Sequence, residues 1–186
     1  MSDVPSVDPL RIGIAGIGNI SGQYLATLPR LAGVRVSAVA DIDPARAAAV
    51  AGPGIRALTP AELLAADDVD LVLNLTVPAA HAEVALAAVA AGKHVYNEKP
   101  LALSTVDGRQ ILEAADAAGV RVGCAPDTVL GTGTQTARRR LDGGGIGVPV
   151  AATAFMVSPG PELWHPNPAF FYGTAAGPCW TWARTT

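Results

Sequence analysis

Cysteine, lysine, aromatic side chains and charge are all scarce in this sequence. Only two of 186 residues are cysteine, Cys124 and Cys179, and they stand far apart with no CxxC pair. That excludes a disulfide framework and a cysteine zinc site, so no metal is expected, and it fits a reducing cytosol. The 13 basic residues are outnumbered by 16 acidic ones, for a net charge of −3. Such a balance lacks the positive field that attracts nucleic acid or an anionic membrane surface. Long hydrophobic runs are missing as well. The alanine-rich stretch 84–92 falls far short of a membrane span. The first ten residues hold Asp3, Asp8 and two prolines, which is not the composition of a signal peptide. The expectation is a cytoplasmic protein with neither nucleic acid nor membrane as partner. General disorder is excluded, because 50% of the residues are apolar and 16% charged. The length suits one complete domain and part of a second.

What is present is an alternation of strand and helix signals. Residues 11–15 (RIGIA) read as a buried strand, 19–31 as a helix and 34–40 (VRVSAVA) as a second strand. Asp43-Pro44 starts a helix, with Asp43 as N-cap, and Thr59-Pro60-Ala61-Glu62 has the pattern of a capping box. Strands follow at 71–75, 94–97 and 120–124. Helices are expected at 79–91, with Gly92 as cap, and at 104–118, closed by Gly119. This order predicts an α/β fold, a doubly wound parallel sheet of the Rossmann kind. After Thr134 a helix at 135–141 gives way to three glycines, and residues 149–157 read as one long strand. The expected division is a Rossmann domain at 1–145 and, at 146–186, the start of a second, α+β domain.

Gly16-Ile17-Gly18-Asn19-Ile20-Ser21 lies between the first strand and the first helix. The first glycine permits a tight turn, and the second lets backbone approach a pyrophosphate at a helix N-terminus. Asp41 ends the second strand, near the spacing of about 20 residues expected for a ribose-binding acid. Its charge favours NAD over NADP, although Arg46 nearby tempers that preference. The bland alternatives are an ordinary structural turn and an aspartate that merely caps it. Asn97-Glu98-Lys99-Pro100 follows a strand, where ligands of open α/β sheets bind. An exposed lysine titrates near 10.4, and desolvation lowers that value toward a range useful for proton transfer. By spacing alone, a solvated surface lysine is the commoner outcome.

GIGNIS, the segment Leu75-Thr76-Val77-Pro78-Ala79-Ala80-His81 and AGKHVYNEKPLA together resemble the glucose–fructose oxidoreductase / inositol dehydrogenase (Gfo/Idh/MocA) family. The resemblance implies a Rossmann domain followed by an α+β domain, an NAD(P)-dependent dehydrogenase of sugars, cyclitols or related polyols, and a homo-oligomeric intact protein. It makes Lys99 the catalytic lysine. Gly16, Gly18, Asn19, Ile20, Asp41, Thr76, Pro78, His81 and Glu98 become the expected cofactor residues, with His81 either lining the cofactor or serving as a polar helix start. Asp127, Trp164 and His165 are the candidates for the substrate side. A dinucleotide-binding module without catalysis is the alternative. An S-adenosylmethionine methyltransferase also uses a glycine turn, but the EKP segment speaks against it.

The resemblance breaks near the end. The family expects a segment like G-P-L-x-D-M-G there, and this chain has Gly177-Pro178-Cys179-Trp180-Thr181-Trp182-Ala183. Shifting the reading of those codons by one base forces Asp and Gly at the family's positions, because tryptophan has a single codon. The expectation is a one-base deletion near codon 178, a tail in an altered frame and impaired hydride transfer. The gene sequence across that codon checks it.

Overall fold

The structure is a computed structural model and describes residues 8–153, 155, 157, 159–163 and 168. Two compact units divide the chain, Met1–Ala125 and Pro126–Thr186.

In the first unit six strands alternate with helices: β1 (Leu10–Ala15), α1 (Ser21–Thr27), β2 (Val34–Ala40), α2 (Pro44–Val50), β3 (Arg56–Leu58) and α3 (Pro60–Ala65). They continue with β4 (Leu71–Asn74), α4 (His81–Ala90), β5 (His94–Asn97), α5 (Thr105–Ala118) and β6 (Val122–Cys124). All neighbouring strands are parallel, in the order β3-β2-β1-β4-β5-β6. This is the doubly wound Rossmann order, with the chain reversing direction across the sheet between β1 and β4.

Both faces of the sheet are buried, which explains the near-continuous apolar runs in its strands. Ala38, Ala40, Val72 and Val95 pack with Leu63 of α3, Ala85 and Val89 of α4 and Ile111 of α5. The alternating residues Ile12, Ile14, Val39 and Leu73 pack on the other side with Tyr24 and Leu25 of α1 and Ala47 of α2. Gly13 is required on the first face, since a Cβ there would stand 2.8 Å from Leu63 Cδ1.

The start signals read from sequence are made as expected. The Asp43 side chain accepts from Ala45 N at 3.0 Å, and Thr59 and Glu62 form a complete capping box. Gly119 closes α5 with φ +69°. The helix expected over 19–31 is shorter: α1 ends at Thr27 and a 3-10 turn follows over Leu28–Arg30. Pro29 has no N–H and cannot continue the α-helical ladder. The short strand β3 has no counterpart in the sequence reading.

In the second unit α6 (Asp127–Leu130) and α7 (Thr132–Asp142) precede the glycine break, where Gly144 takes φ +71°. The strand expected at 149–157 is not formed among the described residues. Val150, Phe155 and Val157 are exposed, and none of them belongs to a described strand. Among the described residues no helix is long and apolar enough to cross a membrane.

Candidate active site

Parallel strands bring their carboxyl ends to one edge of the sheet. Ala40, Ala15, Asn74, Asn97 and Cys124 are register partners along that edge, and the glycine turn, Asp41, the Thr76–His81 segment and the EKP segment each follow one of these strands. The Gly16 turn follows β1. Gly16 has φ +95°, and a Cβ on it would meet Thr76 N at 2.8 Å and Leu75 O at 2.9 Å. Both conformation and space therefore demand glycine. Gly18 is different: a Cβ there would meet nothing within 4 Å. Its lack of a side chain leaves the turn's backbone bare toward solvent, together with exposed Asn19 and Ile20. No side chain caps the start of α1 and no acidic residue lies in its first turn. Ser21 N and Gln23 N donate to Gly18 O and Ile20 O, but the amides of Gly18, Asn19 and Ile20 have no acceptor among the described residues, so the turn fits a dinucleotide diphosphate.

Asp41 is buried at the end of β2. Its Oδ2 accepts from Ile17 N at 2.7 Å and its Oδ1 from Asp43 N at 2.8 Å. It thus braces the glycine turn and also lines a cleft of about 150 Å³ with Pro44, Ala47, Leu58, Thr59 and Glu62. Arg46 is half exposed and pairs with Asp43, Nε to Oδ2 at 3.6 Å. A larger hollow, about 830 Å³, lies at the amino ends of β1 and β2. That is the wrong edge for this chemistry, and its Arg11 and Asp70 are engaged with each other.

The loop after β4 is held by Asn74. Its Oδ1 accepts from Thr76 N at 3.2 Å and from Thr76 Oγ1 at 2.6 Å, and its Nδ2 donates to His81 O at 3.2 Å. Thr76 and Pro78 are half-buried. The ring of His81 is buried, with Nδ1 2.6 Å from Pro100 O and Nε2 3.0 Å from Thr76 O. It stands against backbone on both sides.

The segment after β5 carries Glu98, Lys99 and Pro100, with a cis Lys99–Pro100 bond. Glu98 Oε1 accepts from Tyr24 OH at 2.6 Å, tying the segment to α1, and Oε2 accepts from Lys99 N at 2.9 Å. Lys99 is half-buried, and among the described residues no hydrogen bond or ion pair engages its ammonium. Asn97 is fully buried; its Nδ2 donates to Leu101 O at 3.0 Å, and its Oδ1 has no partner among the described residues. Burial pushes the Cys124 thiol up, against an opposing hydrogen bond from the Ala125 backbone, which favours the protonated form. Asp127 opens α6 in the second unit. Trp164 and His165 lie outside the described residues. Among the described residues no cluster of His, Cys, Asp and Glu is arranged to hold a metal ion.

Sequence reasoning missed Asn74, Asn97, Tyr24 and Lys93. The two asparagines were visible as lone polar residues closing apolar strands. Tyr24 reads as an apolar helix position until its hydroxyl is seen on Glu98. Lys93 is buried and donates to Ala66 O at 2.7 Å and Val69 O at 2.9 Å, on the opposite edge of the sheet from Lys99.

Residues 10–125 match the Gfo/Idh/MocA oxidoreductase family, described as an oxidoreductase family with an NAD-binding Rossmann fold. Inositol 2-dehydrogenase 3 of Saccharopolyspora erythraea is 39% identical over 164 residues, covering 84% of this chain and 48% of that protein. The chain thus spans about half the length of this curated relative. An NAD-binding oxidoreductase from Klebsiella pneumoniae superposes with a TM-score of 0.68 at 31% identity, over 76% of this chain and 41% of that one. The WlbA dehydrogenase of Bordetella pertussis, solved with NADH and UDP-GlcNAcA, superposes with a TM-score of 0.68 at 25% identity, over 73% and 42%. With its strand order, its glycine turn and its EKP segment at the carboxyl edge, this chain belongs to the Gfo/Idh/MocA oxidoreductase family, and residues 10–125 are its NAD-binding Rossmann fold.

Proposed function

We propose that this chain carries the dinucleotide site and the proton-transferring lysine of an NAD-dependent dehydrogenase acting on a sugar, cyclitol or related polyol. The observation that carries this reading is the convergence at one sheet edge of a bare glycine turn, the Asp41 carboxylate and the unengaged ammonium of Lys99. The diphosphate would lie against the amides of Gly18, Asn19 and Ile20. Asp41 already takes two backbone donors, and its remaining lone pairs suit the hydroxyls of the adenosine ribose. A 2′-phosphate would meet its charge, which favours NAD over NADP. Thr76 and Pro78 would flank the nicotinamide side. Asp127, Trp164 and His165 belong to the substrate side of the same reading, as does a homo-oligomeric state.

The bound dinucleotide supplies the hydride acceptor. Lys99 Nζ would take the proton of the substrate hydroxyl as the carbonyl forms, while the C–H electron pair would leave as hydride to that acceptor. Glu98 holds the backbone at Lys99 while this happens. The domain boundary at 145/146, and impaired turnover with an altered-frame tail from about residue 179, belong to the same reading; that tail lies outside the described residues.

Titration calorimetry with NAD⁺ and NADP⁺, beside an assay of NAD⁺ reduction with myo-inositol and a panel of sugars, tests the reading. NAD⁺ is expected to bind about tenfold or more tighter than NADP⁺, a difference of about 1.4 kcal/mol. Lys99→Met is expected to abolish any turnover and leave NAD⁺ affinity within about threefold. Binding with no turnover on any polyol supports the second reading, a dinucleotide-binding module. No detectable NAD⁺ binding sinks both.

A further inference from the structure

One buried ring joins the two loops that the proposed chemistry must keep in register. His81 is only 1% exposed, so its side chain presents no face to a ligand. Nδ1 lies 2.6 Å from the carbonyl oxygen of Pro100, which directly follows Lys99. Nε2 lies 3.0 Å from the carbonyl oxygen of Thr76, in the loop after β4. Carbonyl oxygens only accept, so each contact is a hydrogen bond only where the facing ring nitrogen carries its proton, and a neutral ring carries one. Asn74 steadies both ends of that loop, through the Thr76 amide and hydroxyl and through the His81 carbonyl. On the other side of Lys99, Glu98 is anchored to α1 by Tyr24. The lysine therefore sits between two side-chain anchors, and the His81 anchor is the one shared with the loop after β4.

We propose that His81 is a positioning residue: it couples the Thr76–Pro78 loop to the Lys99–Pro100 segment and so sets where the Lys99 ammonium stands relative to a bound dinucleotide. The inference rests on the dinucleotide reading for its purpose, but the coupling is a property of the unliganded chain. Neither atom contact requires His81 to touch cofactor or substrate. Loss of the ring would let the two loops move independently without removing any group that binds or reacts.

The chain has two lysines only, Lys93 and Lys99, which makes the test direct. In the full chain, lysines are labelled by reductive ¹³C-methylation and the Lys99 signal is identified by its loss in Lys99→Arg. His81→Asn keeps an amide donor near the Nδ1 position, toward Pro100, and His81→Gln keeps one near Nε2, toward Thr76. The expected result is that His81→Asn leaves the Lys99 signal near its wild-type position but displaces the Thr76 and Val77 amides. His81→Gln is expected to do the reverse, and His81→Ala to move both while weakening NAD⁺ about tenfold. Lys93→Met, a buried clamp at the other edge, is expected to lower stability and move neither. The proposal is overturned if all His81 variants leave the Lys99 signal in place, or if Lys93→Met moves it as far. Should His81→Ala not fold, the Asn and Gln pair decides alone. If the wild-type chain does not bind NAD⁺, the dinucleotide reading falls, while the two NMR probes still accept or reject the coupling.

Discussion

The two glycines of the opening turn look equivalent in a motif and are not equivalent in the molecule. Gly16 is enclosed, with backbone of Leu75 and Thr76 where its Cβ would go and φ at +95°. Gly16→Ala is therefore expected to lower stability by about 1–3 kcal/mol, seen as a reduced urea midpoint, and to weaken NAD⁺ as well. Gly18 faces open space and has no positive φ. Gly18→Val is expected to leave the unfolding free energy in urea within about 0.5 kcal/mol of wild type and still to abolish NAD⁺ binding, because the added side chain occupies the phosphate's place. A Gly18→Val chain that binds NAD⁺ normally would put the diphosphate somewhere else. Cys124 belongs to the same scale: its thiol is raised by burial, so iodoacetamide at neutral pH is expected to leave it unmodified in the folded chain and to label it in urea.

Elements form here where local chemistry and packing agree. The start of α3 is a full reciprocal box, Thr59 to the Glu62 amide and Glu62 back to the Thr59 amide at 2.8 Å. Hydrogen bonds from Thr59 hold the Glu62 carboxyl below its usual range. A depressed carboxylate contributes above its unfolded value and loses that contribution as pH falls through the folded one. Thr59→Ala is expected to cost about 1 kcal/mol near neutral pH, as a lost N-cap does, with a smaller cost once Glu62 is protonated; thermal melts at pH 7 and pH 3 check this. Residues 149–157 show the opposite case. Their pattern is as strand-like as that of β2, yet the described residues there make no ladder, because a strand needs a neighbour to accept its hydrogen bonds and alternation supplies none.

At the scale of the whole molecule, the first unit is held together by contacts between distant parts of the chain. Arg11 N and Nε both donate to Asp70 Oδ2 at 2.8 Å, joining the amino ends of β1 and β4. The guanidinium of Arg11 draws the Asp70 carboxyl from 3.8 down to about 2. The folded value is the lower one, so this pair stabilises fully above about pH 4 and its contribution fades as pH falls toward 2. Asp70→Asn is expected to lower the urea midpoint at pH 7 and to flatten its decline between pH 4 and pH 2. Every residue of the two buried clusters lies at or before Val122. A fragment ending at Ala125 loses α6 and α7, but is expected to unfold in one cooperative urea transition and to bind NAD⁺ within about threefold of the full chain.

Much of this was readable from the chain alone. The alternation of apolar runs with capped helices specified parallel α/β architecture, since each start and stop signal acts within a few residues. The glycine turn and the EKP segment marked the working edge for the same reason. What only the tertiary structure decided is which distant groups meet. Asn74 and Asn97 as register partners, Tyr24 on Glu98, and the His81 ring between Thr76 and Pro100 depend on the strand order β1-β4-β5. Hydrogen bonds between groups so far apart in sequence leave no periodic trace, because their geometry comes from strand adjacency rather than from the local chain.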